Sequence, residues 1–366
     1  MKNNLHTLNC VPSILAALAI ICLSSCERAD TPSSGEQQGS GRVISFTAAE
    51  DPVWPDMTKS TVNSVGDLLG NGFKVWGSWT KCPDDDTYWM GDYSSGVNGA
   101  VFGATGTTVT ATDKNNDGAF NQSHDAWEYS PERDWYKGYY TFAAAIPASE
   151  LTQYGIRGTH TSGVTFSESS LPVYTNKLTL NFPSNVFDLS STQIDLMYAF
   201  ATQDNSAENA NQVSLTFEHI CTRLNISIAA YDPAGEDRVF DVQSVTVYGL
   251  LNSIGTPLEF TGATSNVSTR IAASNDRSTQ DDPFHVADTG WEIASSSQTD
   301  PEGVVLIEDL LVFPGILSTE NPLKLRVDYL NVNGDTKSIF TKVTSGTWLA
   351  GKTYSYTFQI DLNSLE

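Results

Sequence analysis

The clearest chemistry in the chain is at Cys26. An apolar run, Val11–Leu23, ends in Leu23-Ser24-Ser25-Cys26. An apolar residue, two small residues and then a cysteine form a bacterial lipobox: small side chains let a signal peptidase reach the backbone, and the thiol is acylated. The run is too short to cross a bilayer as a permanent helix and reads as the core of a signal peptide, residues 1–25. Acylation makes Cys26 the first mature residue and the point of attachment to the outer membrane. The chain is then tethered and not spanning.

Signals for catalysis are sparse. Of five histidines, His6 leaves with the signal, and His124, His160, His219 and His285 are far apart and outside any H-E-x-x-H frame. There is no G-x-S-x-G elbow, P-loop or G-x-G-x-x-G. Asp84-Asp85-Asp86 reads as a solvated charge run, and no carboxylate pair of the glycosidase kind stands out. The chain is not read as an enzyme.

One segment has the spacing of a metal loop. Asp113, Asn115 and Asp117 place oxygens at positions 1, 3 and 5, with Gly118 at 6, like the start of a Ca²⁺-binding EF-hand. Position 12 is His124 and not the bidentate glutamate. Asn, Asp and Gly also build a hairpin turn without metal, and the turn is the favoured reading. No cofactor is expected, with Ca²⁺ at residues 113–117 as the one alternative. Cys82 and Cys221 are the cysteines left after signal removal and lipidation. One pair makes no disulfide framework; a bond and two separate thiols both remain open.

Net charge is −23 and the pI is about 4.4. Such a surface repels nucleic acid and anionic headgroups, so neither is an expected partner. Aromatic residues crowd the stretch from Trp76 to Trp135: Trp76, Trp79, Tyr88, Trp89, Tyr93, Trp127, Tyr129, Trp135 and Tyr136. Exposed, they would form a platform for glycan; buried, they are a β-sheet core and its rim. The second reading is favoured, since several lie inside strand patterns.

The elements that must position these residues are strands. Residues 26–42 are rich in Ser, Gly, Gln and charge and form a flexible tether. Beyond them, short alternating or apolar runs predict strands at 43–47, 73–79, 139–146, 178–182, 194–201, 213–217, 224–231, 239–250, 304–313, 323–330, 338–342 and 353–362. The fold class is all-β, as sandwiches. The polar stretch Gln203–Gln212 sets a boundary between an N-terminal domain, 43–205, and a C-terminal domain, 206–366. Residues 262–301 are polar and predict a surface excursion with little structure. The last strand is the cleanest: Tyr354, Tyr356, Phe358, Ile360 and Leu362 alternate with polar residues and share one face.

Five stretches together resemble the fimbrillin-like (Mfa-like) family of Bacteroidota lipoprotein pilins. They are FKVWGSW at 73–79, WEYSP at 127–131 with Trp135, DLMYA at 195–199, VSLTFEHICTRLNISI at 213–228 and WLAGKTYSYTFQIDL at 348–362. The more specific are F-x-H-x-x-x-x-L from Phe217 and W-x-A-G-K-x-Y-x-Y from Trp348. The resemblance implies two transthyretin-like β-sandwich domains in tandem and a structural subunit of surface fimbriae: shaft, anchor or tip. The lipoprotein reaches the outer membrane, a trypsin-like protease cuts after an Arg or Lys following the first strand, and a strand from another subunit fills the groove.

In this chain that strand is 43–48, and Lys59 is either the cut or an ordinary loop lysine; Arg42 and Arg28 are alternative cuts but precede the strand, so cutting there opens no groove. The family often has Arg at the cut. Tyr354–Leu362 is either a donor strand or the closing strand of its own domain. Implied partners are other fimbrial subunits and a host or bacterial surface receptor. The reading from another class is a surface lipoprotein that binds glycan through the aromatic cluster.

Overall fold

A computed structural model describes residues 42–50, 72–82, 98–114, 125–166, 172–184, 186–189, 193–209, 212–235, 238–262, 275–277, 285–287, 290–297, 303–331 and 333–365. The signal, most of the tether, Cys26, Arg28 and Lys59 lie outside these residues, as do Asn115, Asp117 and His124.

The first part of the chain runs β1 (Phe46–Glu50), β2 (Phe73–Thr80), β3 (Asn98–Ala100), β4 (Thr107–Thr112), β5 (Ala126–Glu128), β6 (Tyr139–Ile146), α1 (Ala148–Gln153), β7 (Arg157–Phe166), β8 (Pro172–Asn181), β9 (Val186–Asp188), β10 (Met197–Asp204) and β11 (Val213–His219). Then come β12 (Thr222–Tyr231), β13 (Val239–Tyr248), β14 (Leu251–Gly255), β15 (Leu258–Thr261), β16 (Asn275–Arg277), β17 (His285–Ala287) and β18 (Trp291–Ser296). The chain closes with β19 (Val304–Val312), β20 (Gly315–Leu317), β21 (Leu323–Leu330), β22 (Thr336–Val343), β23 (Gly346–Trp348), β24 (Thr353–Asp361) and a 3₁₀ turn. The all-β expectation holds.

One large sheet has the order β1-β11-β10-β6-β2-β4-β5, with β3 beside β2. Its centre is β6, YYTFAAAI, in which all but the first residue are buried. Tyr140, Phe142, Ala144 and Ile146 enter one hydrophobic cluster, and Ala143 and Ala145 enter another on the opposite face. A central strand covered on both faces reads as a nearly continuous apolar run, and this one does.

The second large sheet has the order β19-β12-β18-β13-β21-β22, with β24 on β12 and β17 on β13. In β21, LKLRVDYL, Leu323, Leu325, Val327 and Tyr329 are buried while the alternate residues face outward. Two small sheets join strands from the two halves: β9 pairs with β14, and β8 pairs with β15. The described elements all fall within one compact unit, Gly39–Glu366.

Two sequence expectations shift. The first sheet continues past residue 205: β11 returns to it, because Val213, Leu215 and Phe217 alternate into its core, and the chain crosses to the second sheet at Ile220-Cys221. The stretch 262–301 is not a bare excursion, since it contains β16, β17 and β18. The last of these buries Ile293 and touches both β12 and β13. Its Trp291 and Ile293 alternation is short and lies in a polar context, which hides the strand.

Candidate functional site

The first strand is seated at the edge of its sheet. β1 runs parallel to β11, with Phe46 opposite Val213 and Glu50 opposite Phe217. It forms the end of its sheet. Period 2 sends Ile44, Phe46 and Ala48 inward, where they are no more than 1% exposed. Burying Ile44 and Phe46 contributes about 3–6 kcal/mol in transfer free energy.

Phe46 is the hub of this contact. Its ring lies edge-on to Phe73 at 5.8 Å, Tyr129 at 5.8 Å and Phe142 at 6.0 Å. Such edge-to-face pairs add to the area term.

A second line of contacts clasps the residues just before β1. Ile44 N donates to Arg133 O at 2.7 Å, and Trp135 N donates to Arg42 O at 2.9 Å. The Tyr129 hydroxyl donates to Ile44 O at 2.7 Å, and burial pushes that phenol up to about 12. On the β11 side, Val213 N donates to Ser45 O and Gln212 Nε2 to Phe46 O, both at 2.8 Å. The Arg42 guanidinium reaches Glu208 O. Removing residues 42–50 would therefore strip partners from two backbone rows and open an apolar trough between them. WEYSP with Trp135, quoted above as a motif, is the clasp on one side of that trough.

Three of the other quoted motifs meet at the crossing between the two large sheets. Asp195 is fully buried and receives His219 Nδ1 at 3.0 Å on one carboxylate oxygen and Arg223 at 3.4 Å on the other. Arg223 is itself fully buried and lies 3.9 Å from Asp309. Thr222 Oγ1 donates to Leu349 O at 2.7 Å, Gly351 N to Cys221 O at 2.8 Å and Arg223 N to Lys352 O at 3.0 Å. Gly351 has φ +66°, a conformation that glycine alone adopts freely, which accounts for the glycine of W-x-A-G-K. DLMYA, FEHICTRL and WLAGKTY are thus three parts of one buried junction. Sequence reasoning missed the Asp195–His219–Arg223 contact, although the setting of each charge among apolar residues was a usable signal.

The remaining sequence candidates resolve as follows. Tyr354, Tyr356, Phe358, Ile360 and Leu362 turn into the core of the chain's own second sheet, and β24 runs parallel to β12 from Arg223↔Thr353 to Tyr231↔Asp361. Trp348 Nε1 donates to the Tyr356 hydroxyl at 2.8 Å. Trp76, Trp79, Trp127 and Trp135 are each 5% exposed or less and belong to the core, and Tyr129 and Tyr136 are half-buried against it. Tyr88, Trp89 and Tyr93 lie outside the described residues. Cys82 and Cys221 are both buried, and burial holds the Cys221 thiol well above its ordinary pKa. Asp113 is described without its sequence partners, and no metal-holding group of His, Cys, Asp and Glu occurs among the described residues.

A family model described as fimbrillin-like matches residues 86–366. No curated protein matches the chain. Among solved structures, a fimbrial protein from Bacteroides vulgatus ATCC 8482 is 17% identical, with 89% of this chain and 97% of that chain covered and a TM-score of 0.46. A candidate cell adhesion protein from Bacteroides uniformis ATCC 8492 is also 17% identical, covering 87% of this chain and 94% of that one at a TM-score of 0.37. The sequence match alone carries the assignment, and on its strength the chain belongs to the fimbrillin-like family.

Proposed function

We propose that this chain is a structural subunit of a cell-surface fimbrium that supports adhesion, assembled by exchange of its first strand. The observation that carries the reading is the seat of β1. Residues 42–50 bury Ile44, Phe46 and Ala48; the strand itself is paired to β11, and the residues just before it are bonded to Arg133 and Trp135. In this proposal Cys26 is acylated and delivers the precursor to the outer membrane. Cleavage after Lys59 frees residues 26–59, and with them β1. A strand of another subunit, with apolar residues at alternate positions, then restores both the backbone bonds and the apolar contacts by β-augmentation. In the unassembled chain β24 lies in its own sheet, beside β12.

The test is the mature N-terminus and assembly state of protein taken from the cell surface. Ser60 at the N-terminus, within SDS-resistant ladders, is the expected result. A chain that is monomeric and uniformly acylated at Cys26 sinks the shaft reading and leaves an anchor subunit. Lys59→Gln should block processing without unfolding the precursor; normal fibres from that variant overturn the assigned cut.

A further inference from the structure

The outward face of the second large sheet carries two like-charged cross-strand pairs of opposite sign. Lys324 on β21 lies directly opposite Lys342 on β22. Asp241 on β13 lies directly opposite Glu292 on β18. Lys324, Lys342 and Glu292 are exposed and Asp241 is half-buried, while Leu323, Leu325, Phe240, Val242 and Ile293, which alternate with them, are buried. Like charges placed directly across a ladder destabilise a sheet. Among the described residues none of the four has an ion pair to relieve that cost, and Asp241 has only a hydrogen bond from Gln243.

The two pairs sit at opposite ends of the face. Lys324 is opposite Tyr248, and Asp241 is seven residues earlier on the same strand, which places the ends roughly 20 Å apart. Each end also exposes an apolar side chain: Phe340, 56% exposed and opposite Arg326, at the basic end, and Val239, 62% exposed, at the acidic end. Arg326 is held by Asp328, Ser338 and Tyr248 and is partly neutralised there, so the lysines supply most of the free positive charge. Lys342 alone, on an edge strand, would read as a guard against edge pairing. Lys324 is on the inner strand and has no edge to guard.

We propose that this face pairs with the same face of a second copy of the chain across a two-fold axis. Turned end for end, the copy sets its Asp241 and Glu292 over Lys324 and Lys342, and the reverse contact forms at the other end. A two-fold contact needs this self-complementarity. Phe340 and Val239 are covered at the same time. The pairing is lateral, uses neither β1 nor its groove, and stands whether or not strand exchange holds.

Sedimentation velocity on the full chain tests it. Wild type should form a concentration-dependent dimer at low salt that dissociates at high salt. Lys324→Glu/Lys342→Glu and Asp241→Lys/Glu292→Lys should each weaken self-association at least about tenfold, since each places like charges face to face. Mixing the two variants should restore a heterodimer, which neither misfolding nor a change in net charge would do. Failure of the mixture to associate, or a wild type that is monomeric at every salt and concentration, overturns the proposal. So does a monomeric wild type that binds heparin through the two lysines, because the face would then serve an anionic glycan.

Discussion

The Tyr129 hydroxyl donates to the Ile44 carbonyl at 2.7 Å, so a side chain from the WEYSP segment holds the backbone that leads into the first strand. Arg133 N reaches the same hydroxyl at 3.3 Å, and Tyr129 thereby links the strand to its clasp. Tyr129→Phe removes the link and leaves the ring. A loss of about 1 kcal/mol is expected, or roughly 1–2 °C in Tm for a chain of this size. Faster hydrogen exchange at Ile44 and Trp135 should accompany it. Unchanged exchange at both amides would show that the clasp does not depend on the phenol.

Phe46→Ala should cost more, because it deletes the ring around which Phe73, Tyr129 and Phe142 pack. Loss of a buried phenylalanine costs about 3–5 kcal/mol. The control is Thr47→Ala, whose side chain makes an exposed bond to Ser214 and should change stability by less than about 0.5 kcal/mol. Denaturant unfolding of the full chain compares the two. Equal effects would mean that β1 is not held by its apolar face.

Phe358→Ala separates the two readings of the last strand. Phe358 is 7% exposed and packs in the core of its own sheet. The unassembled monomer should therefore lose about 3–5 kcal/mol. A dedicated donor strand would leave the monomer unaffected and lose only assembly.

These two strands mark how far the sequence could be read. β24 was legible as a strand because five apolar residues hold period 2 without a break, but a pattern demands a buried face and does not say whose. β7 was not legible. RGTHTSGVTF has little apolar alternation, and its place is set by ten-residue pairing with β8. Tyr129 and Trp135 were visible as part of a family-like stretch, but not as a clasp, since the contact joins residues 85 positions apart. The Asp195–His219–Arg223 junction was harder still, because charged residues are normally exposed and spacing along the chain carries no sign that these three meet.

Glu150 makes a pH prediction. Its Oε2 is buried and accepts no hydrogen bond among the described residues. Burial, together with the nearby Asp195 carboxylate, raises its pKa above the ordinary carboxylate value. The folded state therefore holds this proton more tightly than the unfolded chain does. The contribution of Glu150 to stability is complete below its ordinary pKa and is lost as pH rises through the raised value. Glu150→Gln should stabilise the chain at neutral pH and flatten that part of the stability–pH curve. A destabilised variant at pH 7 would show that the carboxylate is held by a favourable partner.

The junction itself gives the last test. Arg223 and Asp195 are both fully buried, so each depends on the other to offset the loss of water. Breaking such a pair from one side costs about 3–5 kcal/mol, much of it from the charge left behind. Arg223→Met should show this cost, and so should Asp195→Asn, although His219 keeps a polar neighbour in the second case. Once the first partner is gone, removing the other also removes the stranded charge. The double variant should therefore lose clearly less than the sum of the singles. Additivity within about 0.5 kcal/mol would mean that the two groups do not interact, and the buried carboxylate would then be sustained by His219.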